Sequence, residues 1–104
     1  MLRPTEIDEF GERHAAQWLT ARGYRCHHTQ RQTHRDFEAR GGENSLLVQV
    51  NTAMAPRMSP EISQHDHDSL CSRAMMLGFD PWLARVQIDD HGDLVGDIVW
   101  SKLK

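Results

Sequence analysis

Lysine occurs only at positions 102 and 104, so the chain's 12 basic residues are otherwise arginines and the body of the chain has no lysine. Cysteine is scarce as well. Cys26 and Cys71 stand far apart with no CxxC spacing, which excludes a disulfide scaffold and a structural zinc knuckle. No apolar run approaches the ~20 residues that span a bilayer. The opening Met1-Leu-Arg-Pro-Thr-Glu-Ile-Asp lacks the apolar stretch of a secretory leader. No glycine-rich phosphate loop is present, and no serine or cysteine has the setting of an ordered nucleophile. What remains is 104 residues, 38% hydrophobic and 26% charged, enough for one modest core. One domain over 1–104 is expected, in the cytoplasm and without membrane contact.

The net charge of −3 conceals a division along the chain. Residues 1–12 and 41–104 are acidic on balance. Residues 13–40 are basic, with Arg13, Arg22, Arg25, Arg31, Arg35 and Arg40 against Asp36 and Glu38. A local basic patch suits phosphate, although the modest overall charge excludes a broad DNA-coating surface. A solvated arginine face fits the same pattern.

Thr5 and Asp8 are placed to cap a first helix, whose apolar stripe runs Ile7, Phe10, His14, Ala15, Trp18 and which Gly23 ends. A weak strand is expected from Tyr24 to Thr29. Better ones run Arg35–Arg40 and Ser45–Asn51, joined by a Gly41-Gly-Glu-Asn turn. Ser59 and Pro60 signal the start of a second helix that Gly78 closes. Strands over Trp82–Asp89 and Leu94–Trp100 complete the order α-β-β-β-α-β-β. The helix between the third and fourth strands permits a parallel crossover, giving a mixed α/β sheet with a helix on each face.

With Arg40 facing Ser45 across the turn, Asp36 falls opposite Gln49. Alternation then sends Asp36, Glu38, Gln49 and Asn51 to one face beside Leu47, and Phe37, Ala39, Leu46, Val48 and Val50 to the other. A one-residue slip would mix the two sets. Oxygen-bearing side chains gathered this way suit a hard divalent cation. They suit a solvated polar face equally.

The helix Gly11-Glu12-Arg-His-Ala-Ala-Gln-Trp-Leu, then Gly23-Tyr24, Asp36 and Leu47-Val-Gln-Val-Asn-Thr52 together resemble the PD-(D/E)xK nuclease superfamily. The similarity is greatest to small Holliday-junction-resolvase-like and Mrr-like members, over about residues 10 to 90. It implies a restriction-endonuclease-like fold and phosphodiester cleavage with Mg2+ or Mn2+. It also implies nucleic acid as partner, DNA rather than RNA, and the homodimers common among such nucleases. Asp36 takes the position of the metal-binding aspartate, Glu12 that of an acid on the first helix, and Gln49 that of the second acid. Asn51 takes the position of the lysine. The resemblance thus makes Asp36, Gln49, Asn51 and Glu12 the catalytic set, with Asp36, Glu38 and Gln49 as metal donors. Arg13, Arg31, Arg35 and Arg40 are the expected nucleic-acid contacts.

The chain departs from the pattern at three places. Arg35 stands where a proline precedes the aspartate. An amide at 49 brings no charge to a metal, and an asparagine at 51 cannot supply an ammonium to position water. Weak or lost cleavage is therefore expected. The alternative is a silent module of the same fold that binds DNA or a protein.

Three other features are candidates. His65 and His67 lie two apart on a helix and cannot readily share one ion, while Asp68 can meet Gln64 or His65. Cys71 reads as a core thiol. Met75, Met76, Phe79 and Trp82 read as core, or as an association surface where exposed.

Overall fold

In the computed structural model, which describes residues 2–28 and 36–103, Pro4 takes the first position of helix α1 (Pro4–Thr20). A proline there loses no hydrogen bond. The cap is Arg3, whose backbone N–H donates to Glu6 Oε1 at 3.1 Å, so the Thr5–Asp8 box is displaced by two residues. Gly23, at φ +92°, ends the turn that follows. The strands are β1 (Arg25–His28), β2 (Asp36–Arg40), β3 (Ser45–Met54), β4 (Asp80–Ile88) and β5 (Val99–Lys102), with α2 (Gln64–Leu77) between β3 and β4.

One sheet contains all five strands in the order β1-β2-β3-β4-β5, with β3 and β4 parallel and every other pair antiparallel. The α-β-β-β-α-β-β order and the parallel crossover are as expected. Helix α1 packs across β3 and β4 over the larger core, in which Ala15, Leu19, Phe37, Val48, Ala84, Val86 and Ile88 are buried. Helix α2 covers the opposite face with a smaller core of Leu47, Leu70 and Ala74. No helix among the described residues is long and apolar enough to cross a membrane.

Helix α1 lies tightly against β3 at Gly11. A Cβ built there would stand 1.7 Å from Thr52 Oγ1, so only glycine allows this approach.

Boundaries differ from expectation by three residues or more at three places. Helix α2 begins after Ser63, whose side chain accepts the Asp66 N–H at 3.1 Å, and not at Ser59. Ser59 is buried, and its carbonyl is held by Arg85. Strand β3 continues to Met54, because β4 runs beside it as far as Ile88. Strand β5 starts at Val99, and Leu94 makes only an isolated bridge to Ile88. Met75 and Met76 are 83% and 88% exposed, which removes them from the core.

Candidate functional site

The Gly41 N–H closes the hairpin on Asn44 O at 2.8 Å, and this local turn sets Arg40 opposite Ser45 and Asp36 opposite Gln49. The pleat turns Phe37 and Val48 toward α1, and Leu47 toward α2. Asp36, Gln49 and Asn51 share that second face. The Gln49 amide donates to Asn51 Oδ1 at 3.3 Å, and the Asn51 amide donates to Pro60 O at 3.1 Å.

Arg73 reaches this group from α2. Its guanidinium donates to Asp36 Oδ2 and, from the other terminal nitrogen, to Ser69 Oγ one turn earlier. The Asp36 side chain is 5% exposed and that of Arg73 27%. Sequence reasoning passed over Arg73. Its only signal there is its place between Leu70 and Ala74, the two buried residues of α2.

A cavity of about 530 Å³ opens beside the pair, between the N-terminal turns of α1 and α2. Gln49, Asn51, Asp8, His65, Asp66 and Arg73 line it. Pro60 lines it too, at the end of the segment 57–60, which is fastened by its carbonyls. Arg85 donates to Ser59 O at 2.6 and 3.2 Å, Gln87 donates to Arg57 O at 2.7 Å, and Asn51 holds Pro60 O.

The α1 acid at this cavity is Asp8. Glu12 instead borders a shallow groove of about 610 Å³ with Arg13 and Gln17, where His28 Nδ1 lies 3.9 Å from its carboxylate. The signal for Asp8 is its spacing. It comes one turn before Gly11, whose contact with Thr52 fixes the rotation of the helix.

Glu38 lies one pleat along β2 from Asp36 and pairs with Arg40 at 3.5 Å. The Arg40 guanidinium also lies over Phe79 on the α2 side, whereas Arg13 lies over Phe10 on α1. These two arginines therefore belong to different layers and do not border one groove with Asp36. Arg31 and Arg35 lie outside the described residues.

A hard cation needs several oxygen ligands, with carboxylate charge to hold it. Here the Asp36 carboxylate is bonded to a guanidinium, Gln49 is neutral and Glu38 is paired with Arg40. No three His, Cys, Asp or Glu side chains converge among the described residues. As they stand, the residues do not fit a divalent metal.

Gln64 donates to Asp68 Oδ1 at 2.8 Å, which accounts for that acid. Burial pushes the Cys71 thiol above its usual pKa, and the Asp68 charge adds to the shift. Burial raises Cys26 too, against a hydrogen bond involving Thr20 that lowers it. Neither thiol is a ready thiolate at neutral pH.

No family model and no curated protein matches the chain. Among solved structures it is similar to Hjc, a Holliday junction resolvase from the archaeal hyperthermophile Archaeoglobus fulgidus, with a TM-score of 0.67 at 16% identity. That match covers 91% of this chain and 71% of the resolvase. At such identity the likeness is one of fold. The five-stranded sheet with its flanking helices is a restriction-endonuclease-like fold.

Proposed function

We propose that this chain is a nuclease-fold protein that binds nucleic acid, DNA in preference to RNA, and cleaves it slowly or not at all. The observation that carries the reading is the amide pair of Gln49 and Asn51 on the strand facing Asp36. A phosphodiesterase needs charge at these places, to hold a metal and to offset charge building on the phosphate oxygens. Two amides bonded to each other supply neither. The nucleic-acid part of the reading is supported by the fold and by the resolvase it resembles. The site assignments keep their order of importance, with Asp36 first, then Gln49 and Asn51, and Asp8 in the place expected for Glu12. Mg2+ or Mn2+ belongs to this site only in a re-engineered form. The cytoplasm is the proposed location.

The test is binding of plasmid, four-way junction, single-stranded DNA and RNA across a range of salt, with cleavage followed in Mg2+ or Mn2+. DNA affinity that weakens as salt rises, with little cleavage, is the expected result. Absence of binding to every nucleic acid would overturn the reading in favour of a protein partner. That second reading has its own support in the Met75-Met76-Leu77 surface exposed at the end of α2. A homodimer through the same surface would show as a doubled mass in light scattering.

A further inference from the structure

We infer that Arg73 is a built-in cation standing where a metal would meet Asp36, and that it closes the hairpin to divalent ions. The inference rests on the reading above only for the place a metal would take.

Four observations converge on it. Asp36 is buried, and a carboxylate removed from water is strongly unfavourable without a countercharge. The countercharge comes from a different element, 37 residues along the chain. Its guanidinium is gripped at both ends, by Asp36 and by Ser69, so the planar fork has a fixed direction. Gln49, directly across from Asp36, is neutral.

Across the β2–β3 pair itself, leaving aside the cavity's helix acids Asp8 and Asp66, the charges then balance. One carboxylate with one guanidinium sums to zero, as two carboxylates with one divalent ion would. A glutamate at 49 would leave an excess negative charge beside Arg73. A glutamine leaves none. The absence of an acid at 49 and the presence of Arg73 are thus two halves of one arrangement. An arginine also carries no bound water to activate and holds its protons at all ordinary pH. The pair therefore gives a folded, metal-independent site with no hydrolytic chemistry. A metal ion reaching for Asp36 would first have to break an ion pair whose carboxylate is buried.

The experiment crosses two substitutions, Gln49→Glu and Arg73→Met, and reads the melting temperature with and without millimolar Mn2+. The native protein, Gln49→Glu and Arg73→Met should show little or no response. The double variant should rise by roughly 5–10 °C, the shift expected of a site held near tenfold above its Kd. Folding of the double variant only in the presence of Mn2+ would count in favour as well. A Gln49→Glu response equal to that of the double variant would overturn the inference, as would a folded double variant that ignores Mn2+.

A measurement on the native chain guards against a variant that never folds. The carbon-13 signal of the Asp36 carboxyl should stay in place as Mg2+ is titrated, and a saturable displacement would overturn the inference. These readings are independent of DNA affinity. Failure to bind any nucleic acid, with the metal results as expected, would sink the proposed function and leave Arg73 in its role.

Discussion

Asp36 and Gln49 are cross-strand partners on β2 and β3, and the neighbouring pair, Phe37 and Val48, lies on the opposite face in the larger core. The apolar pair fixes the polar one, since turning Asp36 inward would carry Phe37 out into water.

Arg73→Met should therefore cost about 3 kcal/mol, because it leaves a buried carboxylate without its partner. Asp36→Asn combined with Arg73→Met should recover much of that loss. Urea denaturation of the two single variants and the double measures the coupling. A coupling below ~0.5 kcal/mol would mean that the two groups act independently.

Cleavage should not return on repairing the strand alone. Gln49→Glu with Asn51→Lys should stay silent while Arg73 remains on Asp36. Adding Arg73→Met should raise plasmid nicking in Mg2+ or Mn2+ by roughly 10²-fold, with an Asp36→Ala version as the blank. Nicking by the two-residue repair with Arg73 intact would contradict this.

Gly11→Ala should destabilise the fold by about 1–3 kcal/mol, the usual effect of forcing a methyl group into a filled contact. Thr52→Ala should recover part of this, since it removes Oγ1 and Cγ2 while Cβ, 2.7 Å from the new methyl group, remains. That hydroxyl is buried without a hydrogen-bond partner among the described residues, so its removal alone should be mild. Thermal melts of the single and double variants decide.

Acid should weaken the β4–β5 connection through Asp89. Its carboxylate accepts the backbone N–H groups of His91 and Asp93 at 2.8 and 3.0 Å. The Asp93 contact, followed by that of His91, holds its pKa below the ordinary carboxyl value. A group lowered in this way stabilises the fold above its unfolded pKa, and the contribution is lost as pH falls through the folded one. The stability gap between the native protein and Asp89→Asn should narrow from about pH 5 to about pH 3. A gap constant over that range would show the carboxylate to be idle.

Local signals in the chain reported the hairpin well, because a short turn and period-two alternation need no distant partner. They failed where distant groups decide. Ser59-Pro60 has the chemistry of a helix start, yet Arg85 and Asn51 claim those two carbonyls and the helix waits for Ser63. Leu94 has the chemistry of a strand start, yet Gly96 at φ +70° interrupts the run and pairing resumes at Val99. Arg73 signalled only its place beside the buried residues of α2, since its partner lies on another element. Asp8 and Glu12 were separable only by the rotation of α1, which is set by the Gly11 contact with Thr52.

The segment 57–60, which reaches the cavity at Pro60, is grasped by its main chain. Asn51, Arg85 and Gln87 hold carbonyl oxygens of residues 57, 59 and 60, which any amino acid would present. Arg57, Met58 and Glu61 point their side chains outward with no part in that grip, Met58 being 75% exposed. Their identities are free to drift: a base can become an acid, or a thioether a hydroxyl, while the frame beneath stays still. The face shown to a visitor at this end of the sheet can thus be rewritten letter by letter without loosening the scaffold that carries it.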